Sequence, residues 1–156
     1  MPSTVNKTNK IAVSDVGKKF KKYESLIKKQ AVKIVNVLKI KNSAIDIFLT
    51  SNGQIRLINK KFRGKNKPTN ILSFVEPKNF PHPELKIRKN SKKIFIGEIY
   101  LNIDKVKEFT GSKEHLKLNE LLTHGLLHLL GYIHNTKNDR IKMEKKEKWL
   151  IGKLDN

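Results

Sequence analysis

Three histidines lie close together in the C-terminal half of the 156-residue chain, at the spacing H-x3-H-x5-H: His124, His128 and His134. Residues four apart in a helix share one face, so the first two imidazoles can reach a single ion. Gly131 lies between the second and third histidines. A glycine there can take the left-handed conformation that ends a helix and turns the chain back. The spacing therefore predicts one metal site with three imidazole ligands.

Three neutral nitrogens at about 2.0 to 2.1 Å from zinc, with the fourth position left to water, describe a catalytic rather than a structural site. The chain has no cysteine, which excludes thiolate ligands, disulfides and a cysteine nucleophile. Imidazole suits nickel and iron as well as zinc. We expect one ion per chain, with zinc favoured. His82 and His115 have no second histidine at ligand spacing, and we expect both on the surface.

The ligand spacing equals that of the metzincin peptidases, H-E-x-x-H-x-x-G-x-x-H. In those enzymes a glutamate follows the first ligand and removes a proton from water at the metal. Gly125 occupies that position here. A zinc peptidase is therefore an alternative that the spacing favours and Gly125 opposes. Glu120 precedes His124 by about one helical turn and is a candidate to orient its ring through a hydrogen bond.

The net charge of +20 is a second functional signal, because clustered cations bind polyanions such as nucleic acids. Of the 34 basic residues 30 are lysine, a bias that A/T-rich codons also produce without functional selection. Arginine is the more informative residue here, since its planar fork grips a phosphate with two hydrogen bonds. The four arginines are Arg56, Arg63, Arg88 and Arg140.

The pattern of apolar residues predicts helices and strands within one domain that spans residues 1–156. We expect the first 20 or so residues to form a short strand at best and to be loosely ordered at their start. We predict helices over 23–40, 55–62, 104–109, 116–130 and 138–154. We predict strands over 45–49, 71–75 and 95–101, the last interrupted by Gly97, and an exposed proline-containing loop over 76–93. The chain has neither a long apolar span nor a secretory leader, so we expect a cytoplasmic protein without a membrane contact.

The histidine segment, H-G-L-L-H-L-L-G-Y-x-H, resembles the signature of the YbeY family of bacterial zinc endoribonucleases, which act in ribosomal RNA maturation. Residues 59–74 resemble that family's segment L-N-x-x-F/Y-R-x-x-D-x-P-T-D/N-V-L-S-F. Residues 96–99 resemble its L-G-D-I strand, and residues 140–143 fall where the family has the helix that follows the histidines. The match is collinear over about residues 45–150.

The resemblance implies an α+β fold with a small mixed β-sheet flanked by helices, similar to zincin-like metal-dependent hydrolases. It implies a zinc-dependent endoribonuclease that cuts single strands and acts in ribosomal RNA processing, including maturation of the 16S 3′ end. The implied partner is RNA, as ribosomal RNA, the ribosome or small-subunit precursors. His124, His128 and His134 match the family's zinc ligands, His124 also being a catalytic candidate. Arg63 matches an arginine near the active site, where it can hold a phosphate, and Lys65 and Lys67 are further substrate-binding candidates.

The sequence departs from the family pattern at four positions: Ile133, Asn66 and Glu98 each replace an aspartate, and Val75 replaces a proline. An aspartate at 133 could accept the ring N–H of the third ligand or act on the water, and isoleucine can do neither. Either Glu98 or a substrate phosphate then serves as the base, or activity is weakened; the sequence leaves these open. It also leaves open a ribosome-associated binding protein with weak or no catalysis.

Overall fold

The computed structural model describes residues 9–75, 93–109 and 112–154. In chain order the elements are β1 (Lys10–Asp15), α1 (Lys21–Val37), β2 (Ser43–Thr50), α2 (Asn52–Arg63), β3 (Ile71–Val75), β4 (Ile94–Asn102), α3 (Ile103–Val106), α4 (Ser112–Leu129) and α5 (Lys137–Leu154). The predicted loop over 76–93 lies outside the described residues except for Lys93, and so do His82 and Arg88.

The described strands form one four-stranded sheet in the order β1-β2-β4-β3. β1, β2 and β4 are parallel, whereas β3 is antiparallel to β4 and lies at the edge. Helix α1 packs on β1, and α4 packs on β3 and β4. The prediction of an α+β fold with a small mixed sheet flanked by helices is confirmed.

The core lies between the sheet and the helices α1 and α4. The strand β2 buries every second residue, Ile45, Ile47 and Leu49, as expected where one face of a strand meets a core. Helix α1 contributes residues spaced by three and four, including Ile27 and Ile34, which are fully buried. The same core includes three leucines on one face of α4, Leu118, Leu122 and Leu126. This face fixes the rotation of α4 and therefore the direction of its remaining side chains.

Most element ends differ by a few residues from the predicted ones, and two differences have local reasons. Helix α1 ends at Val37 rather than at residue 40, and the chain then turns through Lys39, which has a positive φ of 58°. The strand β4 runs through Gly97 without ending there. Ala44 pairs with Phe95 and the next residue, Ile45, pairs with Gly97, so Ile96 is the extra residue of a bulge. The glycine bends this strand rather than interrupting it.

The end of α2 carries the Arg63 region to the edge of the sheet. Ser51 begins the helix with a capping box shared with Gln54. Gly64 ends it in the left-handed conformation, with a φ of 70°. Arg63 is thus the last helical residue, and the next segment leads directly into the edge strand β3.

Among the described residues, no helix is both long and apolar enough to span a bilayer.

Candidate metal centre

Helix α4 presents two of the three histidines. His124 and His128 are half-buried and lie one turn apart, while the leucines on the opposite side of the helix are in the core. Their ring centroids are 4.5 Å apart, and the two Nε2 atoms are 3.0 Å apart. The apolar face of α4 therefore aims both imidazoles at one point.

Gly131 brings the third histidine to the same point. It has a φ of 98°, and its N–H donates to the His128 carbonyl at 3.0 Å while the Tyr132 N–H donates to the Leu127 carbonyl at 3.1 Å. This pair of bonds is a Schellman motif, which reverses the chain at a helix end. The His134 ring then lies 4.8 Å from the His128 ring and 5.9 Å from the His124 ring, centroid to centroid. The structure brings together the three histidines that the spacing predicts.

Hydrogen bonds at the far side of two rings set their tautomers. Nδ1 of His124 lies 2.8 Å from a carboxylate oxygen of Glu147, and Nδ1 of His128 lies 2.8 Å from the Tyr132 carbonyl oxygen. An ionised carboxylate and a carbonyl only accept, so each Nδ1 carries the proton and donates. In a neutral ring this tautomer leaves Nε2 with a bare lone pair, which is the form that binds a metal, and the two Nε2 atoms point towards each other.

The donor set fits a metal ion. The candidate ligand atoms of the three histidines all lie within 4.8 Å of one another. Nitrogens bound tetrahedrally to zinc at 2.0 to 2.1 Å would be about 3.3 Å apart, close to the 3.0 Å between the two helical Nε2 atoms. Two facing lone pairs at this distance repel unless a cation or a proton lies between them. Burial, followed by the neighbouring His124, lowers the pKa of His128 below its ordinary value and favours the neutral ligand form.

The histidines open into a cleft of about 1080 Å³. Its walls come from the end of α2, the loop after it, β3, α4, the turn after α4, and α5. Arg63, Lys65 and Lys67 line the same cleft, as do three glutamates, Glu120, Glu144 and Glu147. The predicted phosphate-binding cations and the predicted metal ligands thus share one cavity.

Arg63 is exposed at this cleft and held from two sides. Its Nη2 donates to the Ser73 carbonyl oxygen at 3.3 Å, and its guanidinium carbon lies 5.7 Å from the centroid of the Phe74 ring. Both partners are on the edge strand β3, so the sheet sets the direction of the guanidinium. The bond to Ser73 uses one of the five donors that a guanidinium carries.

The carboxylates proposed to assist the histidines are arranged differently from the sequence expectation. Glu120 lines the cleft and is exposed, but the carboxylate that contacts His124 is Glu147 of α5. The expectation for Glu120 rested on its place one turn earlier on the same helix. Glu147 is 23 residues away in sequence and comes close only because α5 packs against α4. Sequence reasoning missed this residue.

Glu98 lies on the other side of the sheet from the histidines. Its strand neighbours Gly97 and Ile99 both face α4, because a Cβ at Gly97 would meet Leu129 and the Ile99 side chain approaches Gly125. Alternation along a strand then turns Glu98 away. Its carboxylate accepts the Tyr100 hydroxyl at 3.1 Å. Burial and this carboxylate raise the pKa of Tyr100 to about 12. Glu98 is therefore not placed to act on a water at the histidines.

Gly125 replaces the glutamate of the metzincin peptidases, and Ile133 replaces an aspartate of the YbeY pattern. Gly125 is buried, and a Cβ there would lie 2.7 Å from Cδ1 of Ile71, so the glycine lets α4 approach the sheet. A glutamate in this direction would meet the sheet, which adds to the case against metzincin-type proton transfer. Ile133 lines the cleft with 48% of its surface exposed. His115 is exposed on α4, as expected.

Comparison with known proteins identifies the family of the chain. The family model described as Endoribonuclease YbeY matches residues 5–155. The Endoribonuclease YbeY of Thermodesulfovibrio yellowstonii is 33% identical and covers 96% of this chain and 94% of its own length. That of Neorickettsia sennetsu is 31% identical, covering 88% of this chain and 89% of its own. The solution structure of TM1509 from Thermotoga maritima is 27% identical and covers 93% of this chain and 91% of that one, with a TM-score of 0.49. On the family model and the two Endoribonuclease YbeY relatives, the chain belongs to the endoribonuclease YbeY family.

Proposed function

We propose that the protein is a zinc-dependent endoribonuclease that cuts single-stranded RNA in ribosomal RNA processing, including maturation of the 16S 3′ end. One observation carries the proposal: three converging imidazoles share a cleft with Arg63. The relatives named Endoribonuclease YbeY support the reaction. The resemblance supports ribosomal RNA or small-subunit precursors as the partner, and we propose that the protein acts on them in the cytoplasm.

His124, His128 and His134 would hold one zinc ion per chain. When bound, zinc supplies Lewis-acid polarisation of a phosphoryl oxygen and lowers the pKa of water at the site. Glu147 and the Tyr132 carbonyl oxygen orient two of the rings through Nδ1. These bonds keep the Nε2 lone pairs directed into the cleft.

Arg63 would bind the scissile phosphate. Its guanidinium is held against β3 by the Ser73 carbonyl and the Phe74 ring, which limits the freedom that phosphate binding must remove. A guanidinium gives two parallel hydrogen bonds to a phosphate and stabilises the charge that grows in the transition state. Lys65 and Lys67, on the same cleft, add attraction for neighbouring phosphates that does not depend on base sequence.

The cleft wall also limits which groups can move a proton. Ile133 has no titratable group, Glu98 faces away, and Glu147 is engaged with His124. Glu120 and Glu144 are the remaining glutamates of the cleft lining. We propose that one of these two or the substrate phosphate accepts the proton of the attacking water.

Metal analysis combined with cleavage of a single-stranded model RNA tests this function. We expect His128→Ala to lose both bound zinc and cleavage, because it removes one of two ligands on α4. Parent-rate cleavage by that variant would refute the metal mechanism. Sustained chelator-sensitive cleavage of unfolded protein would favour the zinc peptidase instead. Tight RNA binding without zinc-dependent cleavage would favour a ribosome-associated binding protein.

Arg63→Lys tests the phosphate site separately from the metal. Lysine keeps the positive charge but loses the planar fork, so we expect cleavage to fall by about 10- to 100-fold. Zinc content should remain at the parent level, since Arg63 is not among the candidate ligands. Unchanged turnover would remove Arg63 from the reacting centre.

A further inference from the structure

A large aromatic side chain is exposed next to Arg63, at the edge of the sheet. Phe62, in the last turn of α2, has 61% of its surface exposed. Its ring meets the ring of Phe74 on β3 edge to face, with centroids 5.4 Å apart and an interplanar angle of 60°. We call Phe62 and Phe74 the aromatic pair. The contact with Phe74 holds one edge of Phe62 in place while much of the ring remains open to solvent.

Cations flank the aromatic pair. The Lys61 ammonium lies 5.4 Å from the Phe62 centroid, and the Arg63 guanidinium lies 5.7 Å from the Phe74 centroid. Arg63 also lines the cleft that contains the three histidines. An exposed ring between two positive groups is complementary to a ligand that alternates aromatic bases with phosphates. Ser73 faces the histidine helix, so Phe74 faces the opposite side of the sheet together with Glu98. An RNA strand whose phosphate binds Arg63 in the cleft would therefore pass around the edge strand β3 to bring a neighbouring base to this ring.

Negative charge limits the extent of this surface. The aromatic contacts continue from Phe74 to Tyr100 at 5.7 Å and from Tyr100 to Phe48 at 4.9 Å. There, however, the Glu98 carboxylate is bonded to the Tyr100 hydroxyl, and a carboxylate repels phosphate. Glu98 is also the cross-strand partner of Phe74, so this negative charge borders the aromatic pair. The part of the surface that suits a polyanion is therefore the side of the pair next to Lys61 and Arg63.

We propose that the aromatic pair is a base-stacking subsite for single-stranded RNA, which holds a nucleotide next to the one whose phosphate reaches Arg63. This inference rests on the proposed endoribonuclease function and adds a binding position to it. Stacking on an aromatic side chain tolerates any base, because every base has a π-face. It requires an unpaired strand, since the faces of bases within a duplex are covered by their neighbours. The subsite would therefore select single strands without selecting sequence.

Phe62→Ala tests the subsite, with Leu57→Ala as its control. Leu57 lies on the same helix and has 63% of its surface exposed, so the two variants remove similar exposed apolar groups. The binding probe is a short oligodeoxyadenylate, which keeps bases and phosphates but is not cut by an endoribonuclease. The comparison probe is an abasic deoxyribose-phosphate strand of the same length. Both are titrated into the metal-loaded full chain at one fixed salt concentration.

We expect Phe62→Ala to weaken binding of the oligodeoxyadenylate by about tenfold, which is in the range for loss of one stacked base. Binding of the abasic strand should stay within about twofold of the parent value, because that strand has no base to stack. Phe62→Trp should retain parent affinity, because it keeps a stacking face. Leu57→Ala should match the parent on both probes. In cleavage of a single-stranded RNA, Phe62→Ala should raise KM more than it lowers kcat.

Equal losses on the base-containing and abasic strands would overturn the inference, because they would show that Phe62 acts without touching a base. Parent-like affinity of Phe62→Ala for both probes would overturn it as well. These results would leave the proposed function intact if the parent protein cuts RNA. Conversely, base-dependent loss at Phe62 in a protein that cuts no RNA would support the subsite and refute the proposed endoribonuclease function.

Discussion

The hydrogen bond between Glu147 and His124 gives a quantitative test of how the metal site is held. Glu147→Ala removes the carboxylate that accepts from Nδ1 at 2.8 Å. The ring of His124 then loses the partner that fixes its tautomer and orientation, and its Nε2 becomes a weaker ligand. The substitution should not weaken α5 itself, since alanine has the higher helix propensity.

The expected loss follows from the exposure of the pair. Removing such a supporting partner costs about 10- to 100-fold in metal affinity. The two side chains are 34% and 26% exposed, so solvent screens part of the interaction. We therefore expect a loss of about 10- to 30-fold, or about 1.4 to 2 kcal/mol. Glu147→Gln keeps an acceptor but not the charge, and a neutral hydrogen bond is about half as strong, so its loss should be about 3- to 6-fold.

Competition for zinc with a chelator of known affinity measures this loss at fixed pH. Glu144→Ala is the matched control, because Glu144 lines the same cleft from the same helix while the bond to His124 is made by Glu147. The denaturant midpoint of the metal-free variants reports any general loss of stability. The role of Glu147 is refuted if Glu147→Ala binds zinc as tightly as the parent protein. It is also refuted if Glu144→Ala loses as much zinc affinity as Glu147→Ala.

Two further predictions concern stability. Gly97→Ala should destabilise the protein by at least about 2 kcal/mol, because φ there is 150° and a Cβ would overlap the Phe74 carbonyl oxygen. Gly152→Ala should instead stabilise the protein by about 0.5 to 1 kcal/mol, because Gly152 is a helical residue with open space around its Cα. Urea unfolding of both variants measures this difference in the free energy of unfolding. The second concerns pH: burial and the nearby His124 lower the pKa of His128 from 6.5, so the unfolded chain binds its proton first and metal-free protein should lose stability as pH falls below 6.5. His128→Gln should lose less stability between pH 7 and pH 5, and an equal loss in the two proteins would contradict the assigned shift.

Features set by neighbouring residues were predictable from the sequence. The sequence predicted β3 at Ile71–Val75, and the glycines at 64 and 131 end helices in the left-handed conformation. The spacing of the histidines predicted their convergence because a helix and one glycine turn determine it. Each of these depends on residues a few positions apart.

Features that depend on packing between distant elements were not predictable in the same way. Glu147 reaches His124 from another helix, and spacing alone gives no reason to choose it over Glu120 on α4 or Glu144 on α5. Glu98 was considered because its strand matches the family, but the bulge at Ile96 and the alternation after Gly97 direct it to the opposite face. A sequence does not show which face of a strand a distant helix will cover.

The turn at Gly131 leaves the three histidines unequally supported by the fold. Two rings are attached to a helix anchored in the core, whereas His134 belongs to an exposed connection between α4 and α5. An arriving ion can first be captured by the paired rings of the rigid helix and then be enclosed by the third, with departure following the reverse order. For an ion held by the three histidines, we expect the rate of metal exchange to follow the opening of the few residues after the turn, without loosening of the rest of the fold.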